Sequence, residues 1–401
     1  MRHSALALLA SCALGIAASA QAVRPFPQPH QTRSKTDQKP LSLFPIHKLW
    51  TIDLNSDLRT TSAPVFDGTR AFLPIDGDRL VAYDLATGSL TWLVSIAPTG
   101  QPAASPELLF VSVPREIAAL RVSDGSTAWR VPFAGSLAAP LVWDNGWLVA
   151  AAADGTVIAL RGSDGHEVWR YSVGSPAHAP PALAADRVYV PTEDGRVVAL
   201  RVDTGAPIWE HRLGGTASDI LALDDRLYVG SRDNFFYCLT TKSGDEAWRV
   251  RTGGDVIGRP AADEHNIYFV SLDNVLRALR RNGNQQWKRP LKLRPTSGPI
   301  VAGDMIIVGG LESALPAFKA ADGTPAGEVA PGAEVAATPH VVLVPGTYGP
   351  VLVIVARDVA KGAAVTAHAR EIDPPLLSAV SPLPNLVTFT PAGTSPTVPK
   401  P

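Results

Sequence analysis

Seven tryptophans, Trp50, Trp92, Trp129, Trp169, Trp209, Trp248 and Trp287, recur along the chain at intervals of 42, 37, 40, 40, 39 and 39 residues. Six of them stand four residues after a turn glycine: Gly88, Gly125, Gly165, Gly205, Gly244 and Gly283. A seventh turn, Asp322-Gly323, keeps the glycine but has Gly327 where tryptophan is due. Self-similarity at about 40 residues marks stacked supersecondary units, each unable to bury its apolar face without a neighbour.

Each unit reads as four short strands. The first lies around a proline or a proline pair, such as Ala63-Pro64, Pro180-Pro181 or Arg259-Pro260. The second is β-rich, as in Arg187-Val188-Tyr189-Val190. A two-residue turn such as Asp154-Gly155 leads into the third strand, and the glycine turn into the tryptophan strand. Asp-Gly between β-branched residues predicts a type I′ hairpin, whose turn residues need positive φ. No stretch long enough for a helix shows apolar spacing near 3.6 residues. The expectation is an all-β, eight-bladed propeller of four-stranded blades. The eighth unit runs out before its tryptophan strand, while Trp50 stands upstream on a strand without a blade. Joining the two closes the ring and removes an open sheet edge.

The consensus V-Y-V-x3-D-G-x-V-x-A-L-x3-[DT]-G-x3-W resembles the PQQ-type propeller repeat, over residues 46–370. The resemblance implies one of two branches. One comprises quinone-dependent dehydrogenases, which share a vicinal Cys-Cys disulfide, calcium ligands and long active-site insertions. Here Cys12 and Cys238 are far apart and the blades keep a near-constant length. The other branch is non-enzymatic and BamB-like. It implies an exported protein-interaction scaffold of the cell envelope, without catalytic, cofactor or metal residues, whose partner belongs to outer-membrane β-barrel assembly. The alternative is a PQQ-binding quinoprotein or a propeller for another small ligand.

The ends fit export. Residues 1–22 read as a secretory signal, with Ala20-Gln21-Ala22 as cleavage site. Leu9-Ala10-Ser11-Cys12 offers a competing lipobox that would anchor the chain at Cys12. Either way the expected location is periplasmic or outer-membrane-associated. Residues 23–45 read as a proline-rich linker, 46–371 as the propeller and 372–401 as a proline-rich tail. No later run approaches 18 apolar residues. A net charge of −1 removes the simplest case for nucleic-acid binding.

The tryptophan column is expected to be structural, each ring docking between neighbouring blades while a charged residue beside it faces water. Trp143 and Trp147 lie outside the column and are candidates for a binding surface. Cys238 occupies a slot that is Ala82, Ala119, Ala159, Ala199 and Ala317 in other units, so it packs as a small hydrophobe. Arg121, Arg161, Arg201 and Lys319, with Arg280 one residue out of register, could form a basic interaction face. Asp124, Asp164 and Asp322 stand three residues after Arg121, Arg161 and Lys319 and are placed to cancel part of it. Asp53-Leu54-Asn55 begins like a calcium loop but has Leu58 where glycine is needed, and is rejected.

Overall fold

The computed structural model describes residues 42–53, 62–310, 312–344, 349–358 and 362–371. The two termini read above as signal and tail, Cys12 and most of the linker lie outside these residues. All described residues belong to one compact unit.

Eight antiparallel sheets are formed, and the described residues contain no helix. In blade 1 the strands are Val65–Phe66, Arg70–Ile75, Arg79–Asp84 and Leu90–Ser95, paired in chain order. Blades 2 to 7 repeat this order. Blade 8 departs from it. Its first strand is split into Glu334–Val335 and His340–Val342, both paired to Val351–Asp358, with Pro339 in the gap. Its outer strand is Ile46–Asp53, which pairs with Gly362–Arg370 and closes the ring with the chain's own beginning. The first strands of successive blades contact one another and line the centre.

One row of paired residues explains much of the repeat. It runs Phe72, Ala82, Trp92 in blade 1; Tyr189, Ala199, Trp209 in blade 4; and Tyr228, Cys238, Trp248 in blade 5. An aromatic or branched residue and an indole flank a central residue that must be small. Tyr189 and Trp209 approach with ring centroids 5.8 Å apart. Cys238 is fully buried here, and that burial pushes its thiol up to about 12.

Blades meet through these tryptophans. Each Trp Nε1 donates to a backbone carbonyl of the next blade: Trp50 to Leu85 (2.8 Å), Trp92 to Val122 (2.9 Å), Trp129 to Gly162 (2.9 Å) and Trp169 to Val202 (2.7 Å). Trp209 reaches Thr241, Trp248 reaches Arg281 and Trp287 reaches Ala320 in the same way. A buried indole N–H needs such a partner, and here it fixes the angle between blades. The turn glycine of the next blade packs on the same ring. At Gly125 and Gly165, for example, an added Cβ would stand 3.0 Å from the Trp92 ring and 2.7 Å from the Trp129 ring. The glycine four residues before each tryptophan therefore serves the preceding blade's tryptophan and not its own.

Blade 7 has no tryptophan, and the joint is filled from elsewhere. Phe44 approaches Gly327 so closely that a Cβ there would lie 2.9 Å from its ring. Leu43, fully buried, joins Met305, Ile307, Leu315, Leu352 and Ile354 in the cluster between blades 7 and 8.

Gly77-Asp78 and Asn145-Gly146 have positive φ at both turn residues, but the Asp154-Gly155 turn differs from the type I′ expectation. Gly155 has φ of +83°, but Asp154 is not among the residues with positive φ. Its carboxylate instead accepts the Thr156 N–H at 2.8 Å. The pair is an Asx turn followed by a left-handed glycine, so only the second residue needs conformational freedom. Asn234 and Asn274, with φ of +64° and +58°, take that second place in blades 5 and 6.

Candidate interaction faces and axial site

Arg121, Arg161, Arg201, Arg280 and Lys319 are each the last residue of a third strand, so all five share one end of the ring. Arg280 is in register there, opposite Asn266. Its one-residue offset belongs to the turn, where Gly283 N–H bonds Arg280 O, one residue tighter than Gly165 to Arg161. Arg161 pairs with Asp164 at 2.9 Å, and Arg201 with Asp203 at 3.0 Å. Arg121 instead donates to Ser126 Oγ and Thr127 O, while Arg280 and Lys319 are exposed without an ion pair among the described residues. The same end carries turn aspartates from the hairpins of several blades, among them Asp124, Asp144, Asp224, Asp245 and Asp322. The bases are thus set in a surface of mixed sign, whose exposed pairs contribute little individually.

Trp143 and Trp147 are both half-buried. Trp143 packs against the cluster between blades 2 and 3, and Trp147 against the cluster between blades 3 and 4.

Toward the axis, the residue two before the first-strand member of the row is Ala63, Gln101, Pro140, Pro180, Asp219, Arg259, Gly298 and Thr338 in blades 1 to 8. Six of these positions are small or neutral. Blades 5 and 6 alone place an acid beside a base. Burial pushes the Asp219 carboxyl above the ordinary aspartate range, and the charges of Arg259 and His178 draw it only partly back. Ser218 Oγ, next to Asp219, is buried with no hydrogen-bond partner. The pair escaped the sequence reading because it occurs once and has no period. Comparing one column across all eight units would have exposed it.

Next to blade 6, between blades 7, 8 and 1, lies a cleft of about 580 Å³, with Gly298 beside its wall packed against the Arg259 carbonyl. Ser62, Ser297, Thr338, Glu334 and Arg357 line it, with Gly310 at its wall. Ser62 Oγ and Ser297 Oγ are buried without partners. A quinone cofactor with several carboxylates would need an aromatic plane, more than one cation and a cluster of ligands for a metal ion. The cleft lining offers one guanidinium, one carboxylate and no aromatic ring. No cluster of three His, Cys, Asp or Glu suited to a metal occurs among the described residues. The residues present do not fit that group.

Residues 115–223 and 203–341 match a family model described as outer membrane protein assembly factor BamB, together more than half of the chain. No curated protein sequence matches the chain. Among solved structures, BamB from Moraxella catarrhalis is similar at 20% identity and a TM-score of 0.65, over 81% of this chain and 99% of that one. The computationally designed protein Ika8 is similar at 12% identity and a TM-score of 0.67, over 79% and 98%. A quinohemoprotein alcohol dehydrogenase, ADHIIG from Pseudomonas putida HK5, is similar at 13% identity and a TM-score of 0.62, over 81% and 76%. At these identities the likeness is one of fold. An assembly factor, a design and an enzyme share this ring, so the fold alone does not choose among them.

Proposed function

Because the chain belongs to the PQQ-type repeat propeller family of the assembly factor BamB, we propose that it is an exported, non-enzymatic scaffold that binds a protein partner in the cell envelope, within outer-membrane protein assembly. The family match over residues 115–341 carries the reading. The axial chemistry supports it, since the repeated aromatic residues are spent on joints between blades and the cleft lacks the donors of a redox site. A rigid ring with short loops at both ends is suited to holding partners in a fixed relation. The domain boundaries at 22, 45 and 371, the signal peptide and the periplasmic or outer-membrane location belong to the same proposal. No helix among the described residues is long and apolar enough to cross a membrane.

The test is affinity purification of the tagged mature protein from crosslinked envelopes. Recovery of β-barrel assembly subunits is the expected result. Reproducible recovery of an unrelated envelope protein alone would overturn the assembly role and keep the scaffold.

A second reading, a small ligand held at the axis, is favoured by one observation, an acid and a base, Asp219 and Arg259, at the same position on the first strands of adjacent blades. Titration with PQQ and calcium, followed by tryptophan fluorescence, tests its quinoprotein form. Saturable quenching would support it.

A further inference from the structure

Among the described residues the outer strand of every blade pairs on one side only, with the third strand, and leaves a row of backbone N–H and C=O groups at the rim. Such edges invite pairing with another strand, and proteins blunt them with charge or proline. Seven of the eight outer strands are blunted. In blades 2 to 7 the residue after the tryptophan position is Arg130, Arg170, Glu210, Arg249, Lys288 or Glu328, and the outer strand of blade 8 carries Lys48. The outer strand of blade 1, Leu90–Ser95, reads Leu-Thr-Trp-Leu-Val-Ser and has neither charge nor proline.

The same strand exposes Leu93 on its open side, between Thr91 and Ser95. Trp92 and Val94 face blade 2, where a Cβ on Gly125 would meet both. Leu93 therefore points the other way, toward blade 8. It is 49% exposed and Leu90 is 53% exposed, while Leu49 lies exposed beside Trp50 on the neighbouring outer strand. Three of the five exposed large apolar side chains among the described residues thus stand on the two outer strands where the ring closes.

We propose that the Leu90–Ser95 edge is a docking site for an extended peptide segment of a partner protein, which adds to blade 1 as a fifth strand. The chemistry fixes the occupant. Unpaired backbone groups in a row are matched by another extended backbone, and residues facing Leu93 are neutral or apolar, because a charge there would be desolvated against leucine. A second copy of this chain fits poorly. Two convex rims touching along one six-residue strand, about 20 Å long, bury on the order of 400 Å², well below the roughly 1,200 Å² of a stable specific interface. The site is independent of the assembly role, and either can fail without the other.

The experiment uses the full mature protein and a fluorescein-labelled peptide, Ser-Val-Thr-Val-Thr-Ile-Ser, read by anisotropy. Leu93→Arg places at this position the residue that blades 2, 3 and 5 already carry, so the variant folds. Saturable binding to the parent, at least tenfold weaker to Leu93→Arg and unchanged for Val168→Lys on the blade 3 edge, is the expected result. A peptide N-methylated at alternate residues does not bind if the mode is strand addition. Equal binding to parent and Leu93→Arg, or none to either, overturns the proposal. Binding only after removal of residues 372–401 assigns the edge to the chain's own tail, and a dimer dissolved by Leu93→Arg assigns it to a second copy. Both also overturn it.

Discussion

Gly205 packs so closely on Trp169 of the preceding blade that a Cβ on the glycine would stand 2.6 Å from two ring carbons. The two residues are one joint, because the same indole donates to Val202 O at 2.7 Å a few residues upstream of the glycine. Gly205 also has φ of +68°, so its substitution meets both strain and collision.

Gly205→Ala is accordingly expected to destabilise the protein by about 2–4 kcal/mol, from left-handed strain plus overpacking. Gly174→Ala is its control. Gly174 has φ of +77°, but its nearest neighbour, Arg196 Nη2, would be 3.9 Å from a new Cβ. It should lose only the strain, about 1 kcal/mol. Chemical denaturation midpoints of the two variants separate the contact from the backbone.

Trp169→Phe keeps most of the apolar contact and removes the donor. Val202 O is then left buried without its partner, at a cost of about 1–2 kcal/mol. The same change at Trp129, whose Nε1 donates to Gly162 O at 2.9 Å, should cost a similar amount, since the joints repeat. A large difference in thermal midpoint between the two variants would contradict the equivalence of the joints.

Phe44 stands at the joint where blade 7 lacks its tryptophan. Phe44→Ala should cost about 3 kcal/mol by opening a cavity between blades 7 and 8. Limited proteolysis should then cut preferentially within Ile46–Asp53, the strand that closes the ring.

Stability should fall in mild acid through His368. Burial, reinforced by the charges of Lys48 and His47, holds its imidazole down at about 4, against about 6.5 for a free histidine. Between those values the unfolded chain binds the extra proton, so the contribution is complete above pH 6.5 and is lost as pH falls toward 4. The loss is on the order of 3 kcal/mol. Denaturation of the parent and of His368→Gln at pH 7 and pH 4.5 checks it. The variant should show a smaller drop.

Cys238 should be inert in the folded protein at pH 8, because its thiol is buried and pushed up to about 12. A disulfide-exchange reagent should label it only on unfolding. Rapid labelling of the native protein would contradict the position given to it between Tyr228 and Trp248.

The fold was legible because every blade repeats the same row and the same joint. Ala82, Ala119, Ala159 and Ala199 show a column that must stay small, and Trp92, Trp129, Trp169 and Trp209 a column that must reach a neighbour. The partner of each turn glycine was not legible, since spacing within a unit cannot say that Gly205 touches Trp169 and not Trp209. Phe44 was hidden for a related reason. It lies before the first strand, yet fills a gap almost 300 residues later in the sequence, at Gly327. Asp219, Arg259 and Leu93 are departures from a column, and a consensus suppresses departures. Functional chemistry on a repeat fold is found in such exceptions, because what recurs in every unit serves the fold.

The most direct test of the central claim is a binding titration of the purified mature protein against the purified β-barrel assembly machinery, followed by sedimentation velocity. A saturable complex of fixed stoichiometry is the predicted result. Independent sedimentation of the two at micromolar concentrations, with saturable quenching of tryptophan fluorescence by PQQ and calcium under the same conditions, would contradict the scaffold reading and favour the small-ligand one.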